Sequence, residues 1–182
     1  MIQQYLETSG KVPIGISSCL LGAEVRFDGG HKWDNYVNTV LSYYFEFVPI
    51  CPEVAIGMGV PREPIHLVGD PSDPRAVGVR NSRLDVTGAL QAFGRNLAPT
   101  LANLSGYILK SASPSCGMQG VRIHTHEGVP HASGPGIYAK ALMEALPLLP
   151  LEEEDRLRDP VLRENFIERV FVYHRWQALI RS

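Results

Sequence analysis

Cysteine is scarce in this chain, with three among 182 residues. An odd number and the absence of any Cys-x-x-Cys pair argue against a disulfide framework and against an ordinary four-cysteine zinc site. Net positive charge is missing too. The formal balance is −2, so no overall basic field draws the protein to nucleic acid, although a local patch needs no such field. No apolar run approaches the roughly 18–20 residues that a membrane span requires. The N-terminal residues lack the basic stretch and apolar run of a secretory leader. Neither Gly-x-Gly-x-x-Gly nor a Walker lysine is present, which leaves no phosphate-cradle fingerprint. What is there is a chain of 45% hydrophobic residues, long enough to bury a sizeable core. It reads as soluble, cytoplasmic and independent of membranes, with thiols kept reduced and no protein partner evident.

Val12–Ser17, Phe45–Ile50 and Gly106–Lys110 read as short buried strands. Helical spacing runs through Trp33–Tyr44, Asp85–Leu101 and Ile137–Leu146. Asp85 or Thr87 stands where a capping group belongs. Strand alternating with helix is the pattern of an α/β fold, here a three-layer Rossmann-like domain with a mostly parallel sheet, over residues 1–148. Ile65–Gly69 and Ala76–Arg80 read as a small hairpin, and Val121–Gly134 as a loop carrying His124, His126 and His131. After the Pro147–Pro150 break, 149–182 reads as a charged linker and one amphipathic helix opened by Pro160. Leu162, Phe166, Val170 and Tyr173 form its apolar stripe. So much apolar surface on one helix needs a partner, and the tail is expected to be the start of a truncated C-terminal helical domain.

Each cysteine follows an expected strand by a few residues: Cys19 in Ser-Ser-Cys-Leu-Leu-Gly, Cys51 in Cys-Pro-Glu and Cys116 in Ser-Pro-Ser-Cys-Gly. In open parallel sheets the ligand site lies beyond the carboxyl ends of the strands, so residues distant in sequence converge there. Three thiolates at one edge can hold an iron–sulfur cluster by three corners and leave one iron open; singly, each is also an ordinary buried core residue. Glu53, two residues past Cys51, is placed to position water or carry a proton. Arg26 and Asp28 offer a donor and an acceptor to the edge of a heterocycle; Arg62 reads as substrate-facing, and Ser113 or Ser115 as a hydroxyl for substrate or cluster sulfur. The rival metal constellation is His124, His126 and His131, which suits a zinc site.

The ordered motifs Ser18-Cys19-Leu20-Leu21-Gly22, Val25-Arg26-Phe27-Asp28-Gly29, Cys51-Pro52-Glu53-Val54, Pro61-Arg62, Asp85-Val86-Thr87 and Leu109-Lys110 through Ser113-Pro114-Ser115-Cys116-Gly117 resemble those of the thiouracil desulfidases. The likeness spans about residues 12–148. It implies a [4Fe–4S] cluster held by Cys19, Cys51 and Cys116, with one iron open to the sulfur of a thiolated pyrimidine. Water would replace that sulfur without net redox change. It also implies a water-activating or proton-shuttling role for Glu53 and a substrate- or sulfide-contacting one for Ser113. The tail, from Glu153 through Leu162-Arg163-Glu164-Asn165-Phe166-Ile167, resembles the opening of a second domain fused behind such desulfidases. Proteins of that layout are associated with 4-thiouridine, including in tRNA. Base, nucleoside and tRNA therefore all stand as substrates. A non-catalytic iron–sulfur protein with a sensing or structural role is the alternative.

Overall fold

β1 (Val12–Ser17) is an apolar run buried nearly throughout, which only a strand covered on both faces tolerates. It lies inside a four-stranded sheet of order β2-β1-β5-β8, with β2 Phe45–Ile50, β5 Tyr107–Leu109 and β8 Leu151–Glu153. All three pairings are parallel. Gly15 of β1 stands opposite Tyr107, where a Cβ would lie 2.3 Å from the tyrosine ring; the glycine makes the room that the buried ring occupies. The computed structural model describes residues 10–101 and 103–181. Most of the N-terminal stretch that lacks a leader pattern lies outside them.

A second, mixed sheet of order β4-β3-β6-β7 packs beside the first core; its strands are β3 Ile65–Val68, β4 Arg75–Gly78, β6 Val121–His124 and β7 Pro130–Gly134. The expected small hairpin is β3–β4. The expected histidine loop is instead the β6–β7 hairpin, and β6 joins β3 in parallel. Buried Val121 and Ile123 alternate with less buried Arg122 and His124, a period-2 signal too short to stand out. The helical run expected over Trp33–Tyr44 is shorter than its spacing suggests. α1 spans Asn35–Thr39, capped by the Asp34 carboxylate on the Val37 N–H at 2.9 Å, and a 3₁₀ turn covers Leu41–Tyr43. α2 (Pro52–Ala55) follows Cys51 directly.

α3 (Thr87–Leu101) and α4 (Ile137–Ala145) pack closely where Gly94 faces Ala141. With the second sheet they bury Tyr107, Leu109, Cys116 and Tyr138 in one core. The opposite face of the first sheet carries Ile14, Ile16 and Ile108, and it is covered by Phe166, Ile167, Val170 and Phe171 of α5 (Pro160–Arg181). Burying each such side chain contributes roughly 1.5–3 kcal/mol. The layers are therefore helix, parallel sheet, helices, with the mixed sheet as an addition. The boundary expected at 148 does not separate the packing: β8 completes the parallel sheet through Tyr107↔Leu151 to Leu109↔Glu153, and the stripe of α5 covers that sheet. The run read as linker contains a strand.

Candidate active site

β2, β1 and β5 are parallel neighbours, so their carboxyl ends open on one crevice. Cys19 sits in the 3₁₀ turn Ser18–Leu21 that continues β1. Cys51 ends β2 and is the residue before α2. Cys116 closes the loop beyond β5, where the Ser113 Oγ accepts the Cys116 N–H at 3.1 Å. All three are free thiols and line one cavity of about 330 Å³.

Burial pushes all three thiols above their ordinary pKa. For Cys19 the nearby Arg26 guanidinium opposes that rise and the charge of Cys51 adds to it. For Cys51 backbone N–H groups of α2 oppose it. Cys116 is pushed furthest, by burial and then by the charges of Glu53, Cys51 and Cys19, against a hydrogen bond with the Ser17 hydroxyl. Cys19 and Cys116 therefore each feel the charge of Cys51. A neutral thiol state at neutral pH follows, with protons to be released when a metal takes their place.

Glu53 lies in the first turn of α2 with both carboxylate oxygens engaged. Arg62 Nε donates to Oε2 at 2.8 Å, and Ser115 Oγ donates to Oε1 at 2.8 Å. Arg62 also donates to the Gly59 carbonyl at 3.0 Å. Its side chain is 5% exposed against 13% for Glu53, so the ion pair is nearly dry on the cavity wall. Ser113 lines the cavity as well. Its oxygen accepts from the N–H groups of Ser115 and Cys116, which leaves its own hydrogen free to point toward a ligand.

Two expected ligand-facing residues stand elsewhere. Ser115 is fully buried and off the cavity wall; its hydroxyl acts on Glu53 instead. Asp28 is solvent-facing. Its Oδ1 accepts the Gly30 N–H at 3.0 Å to close a turn, and that bond first of all holds its carboxyl below the usual range. Arg26 does line the cavity, 3.8 Å from Asp28. The histidines are not a metal site. His124 Nδ1 and His131 Nε2 lie 3.2 Å from the carbonyl oxygens of Leu67 and Gly69 in the second sheet. Among the described residues no group of three or more His, Cys, Asp or Glu is arranged to hold a single metal ion.

Sequence reasoning missed Ser17, Lys110, Ser111 and Glu154. Ser17 Oγ accepts the Lys110 N–H at 3.0 Å. The Lys110 ammonium donates to the Ser111 carbonyl at 3.0 Å and pairs with Glu154. Lys110 belonged to a quoted motif without a role. Glu154 sat in an unremarkable acidic run, and no local signal marked it.

The ends of this parallel sheet gather three free thiols, a nearly dry carboxylate and several cations, the donor types that a soft metal centre takes. The family model for 2-thiouracil desulfurase matches residues 14–154, and the chain belongs to that family. A solved structure described as the [4Fe–4S]-dependent thiouracil desulfidase TudS is similar: 32% identical, covering 85% of this chain and 99% of that one, with a TM-score of 0.63. The uncharacterized protein YbbK of Bacillus subtilis is 33% identical over 139 residues, 71% of this chain and 89% of that protein. The matched family segment takes in β8, in keeping with its place in the sheet.

The residues present fit a cluster. Three thiols are the right donors for iron and sulfide, and they share a cavity with room to spare. In a cluster each thiolate binds a different iron, so the ligands need not close on a single ion. Arg26 and Lys32 on the wall would offset the negative charge such a centre brings; Arg62 and Lys110 are already paired with Glu53 and Glu154.

Proposed function

We propose that this chain is a [4Fe–4S]-dependent desulfidase that cleaves the C–S bond of a thiolated pyrimidine. Water enters at the ring carbon and sulfur leaves as sulfide, so C=S and H₂O become C=O and H₂S with no change of oxidation state. The observation that carries this reading is one cavity shared by Cys19, Cys51, Cys116 and the doubly held Glu53.

Cys19, Cys51 and Cys116 would hold the cluster. When bound, it supplies an iron with a free position, a Lewis acid with affinity for soft sulfur. The other work falls to the chain's own side chains. Glu53, paired with Arg62, takes a proton from the water that approaches the ring carbon and returns it toward the departing sulfur. Arg62 and Ser115 fix its two oxygens and so aim it. Ser113 donates its hydroxyl hydrogen to a ring oxygen or to the sulfur. Arg26, also on the cavity wall, donates to the polar edge of the ring.

The substrate is a thiolated base, its nucleoside, or 4-thiouridine in tRNA. Two wall cations favour a substrate that brings negative charge: Lys32 is exposed, and Arg26 pairs loosely with the exposed Asp28 at 3.8 Å. The free thiols suit a reducing, cytoplasmic setting.

The test is anaerobic reconstitution with iron and sulfide, then single-turnover release of sulfide from thiouracil, 4-thiouridine and thiolated tRNA. Release is expected, and its rates rank the three substrates. A filled cluster with no release from any of them would replace this reading with a sensing or structural role.

A further inference from the structure

Glu152 and Glu153 end β8, Glu154 follows at once, and all three are buried. Glu152, Glu153 and Glu154 are 4%, 4% and 5% exposed. Successive residues on a strand face opposite ways, so protein must cover both sides here. Glutamate is almost never buried to this degree unless it is paired. Glu152 has an ordinary structural partner, Arg156 Nε at 2.7 Å. The other two do not reach side-chain partners within the tail alone; they reach the loop that carries Cys116.

Glu154 Oε2 accepts the Ser111 N–H at 2.7 Å and Oε1 pairs with Lys110; the Ser111 hydroxyl lies 2.8 Å from that Oε1 and 2.5 Å from Asp155 Oδ2, and its single hydrogen serves one of them at a time. Glu153 Oε1 accepts the Met118 N–H at 2.7 Å. One carboxylate therefore grips the loop before Cys116 and the other grips it after. Between them Ala112 takes φ 55°, the one positive φ of a non-glycine residue among those described. An alanine rarely adopts that conformation, and it persists where surrounding contacts impose it. The bonds to Ser111 are the immediate constraint.

We propose that Glu153 and Glu154 are positioning residues for Cys116, clamping its loop from the end of β8 on both sides of the thiol and holding the strained turn at Ala112. The consequence for the cluster rests on the reading of Cys116 as a ligand; the clamp itself does not. It places part of the site's rigidity in a segment that the sequence presents as a charged linker.

The test uses the full chain with Glu153→Gln, Glu154→Gln and the control Glu152→Gln. Two quantities are read: iron loss to a chelator after anaerobic reconstitution, followed by visible absorbance, and the rate at which iodoacetamide labels each cysteine of the iron-free chain, followed by peptide mass spectrometry. Loss of a charge-assisted clamp is expected to speed both Cys116 labelling and iron loss roughly tenfold in the two clamp variants. Cys19 and Cys51 should label as in the wild type, and Glu152→Gln should change nothing at Cys116. Equal acceleration at all three cysteines, an unchanged Cys116, or the same effect in Glu152→Gln would each overturn the clamp. If either clamp variant fails to fold, Ser111→Ala removes the hydroxyl shared by Glu154 and Asp155 and should give a smaller acceleration confined to Cys116; none would overturn the proposal. Failure of the wild type to take up iron would sink the cluster reading, while the labelling rates would still decide the clamp.

Discussion

The Ser115 hydroxyl donates to Glu53 at 2.8 Å, tying the loop of the third cysteine to the helix that follows the second. Because Ser115 is buried and does not line this cavity, its effect on chemistry passes through Glu53. A hydrogen bond to a charged group contributes about 1.5–3 kcal/mol. Ser115→Ala is therefore expected to slow sulfide release by about tenfold or more while iron content stays at the wild-type level. Glu53→Gln preserves shape but removes the base, and should cost roughly 10²–10⁴ in turnover. Single-turnover assays normalised to iron per chain measure both. Full activity in Glu53→Gln would take that residue out of the mechanism.

Each cysteine is expected to be indispensable to the cluster. Cys19→Ala, Cys51→Ala and Cys116→Ala leave two thiols in the cavity, too few to hold a cluster by three corners. Iron and sulfide analysis after reconstitution should show loss in all three variants. Wild-type iron in any one of them would remove that residue from the ligand set.

The last helix is part of this domain's stability. Phe166 is fully buried against Phe45, with ring centroids 6.4 Å apart. Phe166→Ala is expected to destabilise the fold by about 3–5 kcal/mol, read from urea denaturation. An effect below about 1 kcal/mol would mean that α5 packs on the sheet without supporting it.

Acid stability should report on the second sheet. His66 and His124 have ring centroids 5.2 Å apart. Burial first, and then the charge of His124, hold His66 below its ordinary value of 6.5. A histidine depressed in the fold stabilises it above the unfolded pKa, and that contribution is lost as pH falls through the folded one. The melting temperature should thus drop as pH falls below about 6.5, and His66→Asn should drop less. Glu153 is shifted the opposite way, its pKa raised by burial, so the variant-minus-wild-type difference is the quantity to follow. Parallel curves for the two proteins would exclude His66 as the source.

The parallel core was legible because its signals are local. Val12–Ser17 and Phe45–Ile50 are compact apolar runs, each with a cysteine one or two residues beyond its end, and Asp85 caps the region where a helix was expected, its Oδ1 accepting the Thr87 N–H at 2.9 Å. The α1 region misled because Trp33 and Val40, apolar in type, are exposed; spacing alone does not say which side a helix buries. Ser115 and Asp28 were chosen for residue type and nearness in sequence to a cysteine. Neither criterion carries direction: one side chain turned inward to Glu53 and the other outward to its own turn.

The sequence by itself determined that three cysteines stand at the carboxyl ends of three strands, because strand runs and the turns that end them are written in neighbouring residues. Tertiary structure alone decided what surrounds those thiols. Arg62 and Ser115 meet on Glu53, and Glu153 and Glu154 reach back to Met118 and Ser111, through contacts between residues far apart in the chain. The three residues Leu-Glu-Glu of β8 carry no apolar pattern that would mark a strand. Their carboxylates are buried because partners from other elements satisfy them, and that compensation exists only once the sheet has formed.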